Sequence, residues 1–269
     1  MSSVRTTFEA DRQLNAVSVS HHGHGDRTFV VPEEVPVELR VNGLPFVVMM
    51  VTPRDIRDFA TGFCVSEGLA AGASAVLSIQ IDDAPLGIVA SVRIARDGLI
   101  KRARQRGIEG RSGCGVCGVK TLTDASSDPP PVPFAKAPRY AAVQRAYHEL
   151  GRLQPLNAAT RAVHAAAWCD DQGNVVALRE DVGRHNALDK LIGWRARNAL
   201  TDSGFCVITS RCSFEMVTKA AHAGVSSLVA VSSPTGLAVD IAKKVGMTLI
   251  ARARADGFLT FATTKQAEG

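Results

Sequence analysis

Aromatic residues are scarce in this chain of 269 residues, in which 5% of the positions are Phe, Trp or Tyr. None of them is interleaved with the basic segment 101–111, so the chain lacks the aromatic platform on which single-stranded nucleic acids stack their bases. The net charge of +5 still favours an anionic partner, because the phosphates of a small molecule attract the same cationic side chains. The composition therefore argues against nucleic acid and leaves an anionic small molecule open.

Long apolar runs are missing as well. No segment approaches the roughly 18 residues of a membrane span, and the first residues are polar, without the charged and then apolar pattern of a signal peptide. We therefore expect a cytoplasmic protein without a membrane partner. Residues 1–30 lack hydrophobic periodicity and are rich in Ser, His and Gly, which predicts a disordered tail. Its histidines, His21, His22 and His24, are only a weak candidate for a metal site.

The six cysteines fall into two groups. Four of them stand singly among apolar or helical segments and are expected to be reduced core residues: Cys64, Cys169, Cys206 and Cys212. The other two form the motif Gly113-Cys114-Gly115-Val116-Cys117-Gly118, which follows the basic residues Lys101, Arg102, Arg104, Arg106 and Arg111. Nearby positive charge lowers the pKa of a thiol, so sulfur chemistry at neutral pH is easiest at Cys114 and Cys117.

The Cys-x-x-Cys spacing by itself serves zinc sites, dithiol redox centres and persulfide carriers alike. A closed zinc site needs four ligands, and the sequence has no second Cys-x-x-Cys or His-x-x-x-His to complete one. A thioredoxin-like centre would follow an apolar strand directly, whereas an arginine-rich segment precedes Cys114. Both of these alternatives are therefore weakened, and the motif alone does not decide among the three.

The first half of the chain is predicted to be an α+β subdomain over residues 31–125 that ends in the Cys-x-x-Cys loop. Segments 36–40 and 45–51 flank Asn42-Gly43 and predict a β-hairpin, and a helix follows from Thr52-Pro53 to residue 67. Segments 79–81 and 87–95 are predicted strands. A Pro-rich connector over residues 126–139 closes this half.

Residues 140–269 are predicted to form an α/β domain, because helical and strand patterns alternate along them. The expected architecture is a mixed sheet flanked by helices. Strands are predicted at 163–169, 175–178, 205–209, 228–231 and 248–251, and helices at 140–153, after residue 186, and at 214–223 and 237–245.

Three polar junctions in this second half are candidate ligand sites, since α/β proteins bind ligands where strands end and helices begin. Asp181, Arg184, His185 and Asn186 either bind a polar ligand or cap the helix and hold the loop. Arg211 and Ser213 open the next helix, as an anion site or as a simple cap. The third junction is a turn that contains two arginines, which either bind phosphate or are simply solvated. Its residues are Arg252, Ala253, Arg254, Ala255, Asp256 and Gly257.

Taken together, these residues resemble the formate dehydrogenase accessory sulfurtransferase family FdhD, over about residues 33–262. The block 179–190 is the longest and most specific segment of the resemblance. The matching segments are Glu34-Val35-Pro36-Val37, Val48-Met49-Met50, Thr52-Pro53, 59–68, 113–118, Val163-His164-Ala165-Ala166, 179–193 and Ser213-Phe214-Glu215-Met216. One departure is Arg161-Ala162, where the family pattern has a pair of glycines.

The resemblance implies a cytidine-deaminase-like three-layer core, a homodimer, and a sulfur carrier that serves formate dehydrogenase. Sulfur would pass from a cysteine desulfurase, as a persulfide on Cys114 with Cys117 sharing or resolving it, to the molybdenum bis-guanine-dinucleotide cofactor. GDP would mimic that cofactor, with its phosphates held at the junctions of Arg211 and of residues 252–257. No structural metal is expected, because the deaminase zinc signature is absent and Gly113 stands where its proline would be. The alternatives are a cofactor-binding chaperone without sulfur transfer and a zinc-dependent deaminase.

Overall fold

The computed structural model describes residues 7–21, 23–95, 129–200 and 203–263. The sulfur-carrying residues predicted from the sequence, Cys114 and Cys117, lie outside the described residues, as do the basic segment 101–111 and the first residues of the Pro-rich connector. The predicted boundary of the first subdomain at residue 125 also lies there.

The chain begins with a two-stranded antiparallel ribbon, β1 (Asp11–Ser20) and β2 (Gly23–Pro32). The prediction of a disordered tail over residues 1–30 is therefore wrong for residues 11–30. Both faces of the ribbon are largely exposed, so no buried apolar face runs along it to reveal the two strands in the sequence. Cross-strand pairs such as Leu14 opposite Phe29 stabilise it instead.

A four-stranded sheet forms the first half of the molecule, in the order β4-β3-β6-β5. Its strands are β3 (Val35–Val41), β4 (Leu44–Val51), β5 (Val76–Ala84) and β6 (Gly87–Ile94), with β3 and β6 parallel and the other neighbours antiparallel. The predicted hairpin at Asn42-Gly43 is confirmed, with both residues at positive φ. Helix α1 (Ile56–Ser66) packs on this sheet. It begins at Ile56, later than expected, because Asp55 has a left-handed conformation with φ of 56°.

A six-stranded mixed sheet forms the second half, in the order β12-β11-β10-β9-β7-β8. Helix α2 (Tyr140–Leu150) covers one face, and the other is covered by α4 (Arg184–Arg197), α5 (Phe214–His222) and α6 (Gly236–Val245). The predicted mixed sheet flanked by helices is therefore confirmed. The short helix α3 (Pro155–Thr160) and the last strand were not expected. The remaining bounds are β7 (His164–Cys169), β8 (Val175–Asp181), β9 (Phe205–Ile208), β10 (Ser227–Ala230), β11 (Thr248–Arg254) and β12 (Gly257–Ala262).

Helices α1 and α4 join the two halves, because their backbones touch at a pair of glycines. A Cβ atom at Gly62 would lie 1.7 Å from the carbonyl oxygen of Asp189, and one at Gly193 would lie 1.8 Å from that of Asp58. No side chain fits at either position. The two halves therefore share one tightly packed helix interface.

Buried charges lie at the same interface. Lys219 of α5 reaches the carboxylate of Asp189 at 2.8 Å and that of Glu67 at 2.8 Å, and Ser66 of α1 donates a 2.6 Å hydrogen bond to Asp189. Burial alone would lower the pKa of Lys219, but the two carboxylates outweigh it and raise that pKa. The lysine is therefore charged, and it ties α5 to both α1 and α4.

No helix within the described ranges has the length and apolar character needed to cross a membrane. The four single cysteines are unpaired and buried, as their sequence context predicted. Burial raises the pKa of Cys64, Cys206 and Cys212 to about 12 and that of Cys169 further still. These thiols therefore pack as small apolar residues.

Candidate functional site

The carboxyl ends of four strands meet at one edge of the six-stranded sheet. Strands β9, β10 and β11 are parallel, and β8 runs in the same direction because both β8 and β9 are antiparallel to β7. Helices α4, α5 and α6 begin at this edge, where their unpaired backbone N–H groups favour anions. The three polar junctions predicted from the sequence all lie here. We call this region the carboxyl edge.

Asp181 and Asn186 hold the loop that opens α4. Asp181 is fully buried and pairs with Lys190 at 2.6 Å, and its carboxylate accepts hydrogen bonds from Thr52 N at 3.0 Å and Asn186 Nδ2 at 3.0 Å. Asn186 Nδ2 also donates to the carbonyl of Met50 at 2.8 Å. Asp181 thus bonds to the connection between β4 and α1, and Asn186 bonds to the end of β4, which supports the loop-holding interpretation over direct ligand contact.

His185, Ser213 and Glu215 form a second polar cluster at the carboxyl edge. Glu215 Oε2 accepts a 2.8 Å hydrogen bond from Ser213 Oγ and lies 3.3 Å from His185 Nε2. His185 and Glu215 are buried, whereas Ser213 is partly exposed. The Ser213 side chain therefore does not cap α5 but holds Glu215, and Glu215 in turn links the starts of α4 and α5 through His185.

His164 lies at the start of β7 on the same edge. It was not among the site residues predicted from the sequence. Burial lowers the pKa of His164, and the charges of Arg184 and His185 lower it further against the opposing effect of Asp181. Its imidazole is therefore neutral at neutral pH. Arg184 beside it has a buried Nε without a hydrogen-bond partner among the described residues.

The arginines are the exposed cationic groups of the carboxyl edge. Arg211, Arg252 and Arg254 are all exposed. Arg252 has a left-handed conformation with φ of 54°, and its backbone N–H donates to the carbonyl of Ser232 at 3.0 Å. Within the turn at 252–257, Ala253 is buried in the core, so its side chain faces away from the edge. Ala255 and Asp256 form the exposed turn, and Gly257 begins β12.

A cavity of about 330 Å³ opens at the carboxyl edge next to α2. Thr209 follows β9 and Val231 follows β10, and both line it together with residues from the end of α2. Gln154 donates to the carbonyl of Leu150 at 2.7 Å. The remaining lining residues are Tyr147, His148 and Gly151. No sequence motif predicted this cavity. The one signal that could have found it is the convergence of parallel strand ends at a crevice.

Metal-binding side chains do not gather at this edge. Within the described ranges there is no group of three or more His, Cys, Asp or Glu side chains placed to hold a metal ion. The exposed arginines, helix N-termini and crevice are instead suited to phosphate groups. The fold and the site thus define an α/β protein with exposed arginines at the carboxyl edge of its sheet.

Comparison with known proteins identifies the family. Residues 32–267 match the model of the FdhD/NarQ family, so the chain belongs to the FdhD/NarQ family. It is 44% identical over 233 residues to a protein of Variovorax paradoxus, covering 86% of this chain and 84% of the relative. It is 46% identical over 222 residues to one of Bordetella bronchiseptica, covering 82% and 80%. Both relatives are named sulfur carrier protein FdhD.

The fold agrees with that of a solved structure. A candidate formate dehydrogenase accessory protein from Desulfotalea psychrophila superposes with a TM-score of 0.75 over 96% of this chain and 99% of its own, at 23% identity. The mixed α/β architecture is therefore a fold already seen in a crystal. The likeness to cytidine deaminases that the resemblance implied stays a prediction.

Proposed function

We propose that this protein is a sulfur carrier in formate dehydrogenase maturation. It would take sulfur from a cysteine desulfurase as a persulfide on Cys114, with Cys117 as its partner thiol, and deliver it to the molybdenum bis-guanine-dinucleotide cofactor. The names of its relatives support the carrier role. The homodimer and the cytoplasmic location that the resemblance implied are part of the same proposal.

The contrast among the cysteines is the observation that carries this proposal. A persulfide forms on an accessible thiolate. Cys64, Cys169, Cys206 and Cys212 are buried with raised pKa values, so none of them offers one at neutral pH. The two cysteines that the sequence places among glycines and arginines are the remaining candidates.

In the proposed transfer, the two thiols of the motif supply the two electrons that the transferred sulfur gains. The thiolate of Cys117 attacks Sγ of the Cys114 persulfide, the sulfur–sulfur bond of the persulfide breaks, and hydrosulfide leaves as a disulfide forms. The transferred sulfur gains two electrons, and the thiols of Cys114 and Cys117 lose two. Hydrosulfide is then the species given to the metal of the cofactor, and a thiol reductant restores the pair.

The carboxyl edge would hold the cofactor through its guanine nucleotide phosphates. Arg211, Arg252 and Arg254 provide exposed positive charge beside the N-termini of α4, α5 and α6. The adjacent cavity of about 330 Å³ has room for a flat ring, and Tyr147 lines it. The buried contacts of Asp181 and Asn186 would keep the loop before α4 in place around the ligand.

Arg252→Ala and Arg211→Ala are each expected to weaken the binding of GDP about tenfold or more, because each removes a charge-assisted hydrogen bond to phosphate. Isothermal titration calorimetry measures the change. The matched control is Lys243→Met on the exposed side of α6, which should bind GDP like the wild type. Unchanged affinity in both arginine variants would remove the carboxyl edge as the phosphate site.

The function itself is tested by formate dehydrogenase maturation in a host that lacks its own family member. We expect the wild-type chain to restore formate dehydrogenase activity and the double variant Cys114→Ala, Cys117→Ala to restore none. The alternative is a chaperone that binds the cofactor without transferring sulfur, which the cationic carboxyl edge would also suit. Full maturation by the double variant would support that chaperone and reject the carrier.

A further inference from the structure

A second cavity, of about 390 Å³, lies at the opposite end of α4 from the carboxyl edge. The C-terminal parts of three helices line it, with Val65 of α1, Ile192, Arg195 and Ala196 of α4, and His222 of α5 among its walls. Arg184 at the carboxyl edge and Arg195 here are eleven residues apart, which is roughly 16 Å along an α-helix. The two cavities also share no lining residue, so they are separate sites.

The walls of this cavity are mainly small and apolar, and the helix ends beside it are already capped. Leu200 N donates to Arg195 O at 3.1 Å, Val225 N to Ala220 O at 2.9 Å, and Ala70 N to Cys64 O at 2.9 Å. His222 Nδ1 is hydrogen-bonded to the carbonyl of Thr218 at 3.0 Å. Arg195 is the one Lys or Arg side chain among the lining residues.

Among the described residues, the partly buried Arg195 has no carboxylate partner, unlike the buried Lys190 and Lys219. Its guanidinium carbon lies 3.5 Å from the ring centroid of Trp168, and its Nε is buried without a hydrogen-bond partner among the described residues. By contrast, Lys190 pairs with Asp181 at 2.6 Å and Lys219 with Asp189 at 2.8 Å. Burial lowers the pKa of Arg195, as expected where no carboxylate offsets the lost solvation.

We propose that this cavity binds a small organic monoanion of the carboxylate class, with its charged group on Arg195 and its apolar body against Val65, Ile192 and Ala196. A partly buried, uncompensated guanidinium gains free energy from an anion, and its planar donors match a carboxylate. Because Arg195 carries a single positive charge, a ligand with a single negative charge would neutralise it. The volume is at the small end of ligand pockets, so the ligand has the size of a single substituted ring.

Phenylacetate and its neutral isostere phenylacetamide are the probes, measured by ligand-observed NMR on the full chain. We expect phenylacetate to bind with a dissociation constant on the order of 1 mM or tighter and phenylacetamide at least tenfold more weakly. Saturating GDP should leave phenylacetate in place, because the carboxyl edge is a different site. Equal binding of the two probes, no binding of phenylacetate, or its displacement by GDP would each overturn the proposal.

Two variants locate the site. Arg195→Met keeps an unbranched side chain over Trp168 and should weaken phenylacetate binding at least tenfold, whereas Arg27→Met on the exposed ribbon should not change it. Ala196→Leu keeps good helix propensity and fills the cavity, so it should abolish binding even if Arg195→Met does not fold. Wild-type affinity in either cavity variant contradicts the assignment.

Discussion

Incubation with a cysteine desulfurase and cysteine is expected to add sulfur to the wild-type protein and none to the double variant Cys114→Ala, Cys117→Ala, as measured by mass spectrometry of the intact chain. The four other thiols cannot substitute for the pair. At a pKa of about 12, as for Cys64 and Cys206, only roughly one thiol in 100,000 is ionised at neutral pH. Each is also shielded from a second protein, being fully buried.

The matched controls for this experiment are Cys64→Ala and Cys206→Ala. Each removes one buried thiol, and each variant should gain sulfur like the wild type. Tandem mass spectrometry of the tryptic peptide 112–120, which contains both cysteines, identifies whether Cys114 or Cys117 is modified. Sulfur on a peptide containing Cys64 or Cys206, or sulfur retained by the double variant, would contradict the assignment of the carrier thiols.

Lys219→Met is expected to lower the free energy of unfolding by about 3–5 kcal/mol, because it leaves the carboxylate of Asp189 buried without its cation. Glu67 loses the same partner. The loss is measured by urea denaturation. Lys243→Met serves as the control, since this exposed lysine of α6 should change stability by no more than about 0.5 kcal/mol.

The pH dependence of this variant separates a lost ion pair from a simple loss of packing. Burial raises the pKa of Asp189, and without Lys219 little opposes that effect. A carboxyl group whose pKa is raised in the folded state contributes less stability as pH rises above its unfolded value. The destabilisation by Lys219→Met should therefore be smaller at about pH 5 than at about pH 8. A loss under about 1 kcal/mol, or one that does not vary with pH, would argue against a buried charge pair.

Local patterns predicted most of the secondary structure because the responsible forces act between near neighbours in sequence. Asn42-Gly43 turns a hairpin since both residues adopt positive φ, and Gly246 ends α6 in a left-handed conformation. The ribbon of β1 and β2 escaped prediction because neither of its faces is buried. Strand β12 and helix α3 are short, and their patterns were too brief to identify.

The sequence predicted the positions of the polar residues at the carboxyl edge but not their hydrogen-bond partners. The junctions of Arg211 and Arg252 could be located, because strand ends followed by helix starts are apparent in sequence. The partners of Asp181 could not, since Thr52 lies 129 positions away and reaches it only after α1 has packed on α4. The same holds for the cavity lined by Tyr147 and Thr209, whose residues are brought together by the order of the strands.

By itself the sequence singled out two thiols as candidates for sulfur chemistry, and it determined which family the chain resembles and where most helices and strands lie. These properties depend on residue types and short spacings, such as two cysteines among glycines and arginines. The tertiary structure alone decided which charges face the open edge and which lie inside, and it placed Arg195 beside a cavity with no carboxylate partner in the part of the chain that the structure describes. Burial and pairing are set by contacts between distant segments, above all the close crossing of α1 and α4 at Gly62 and Gly193.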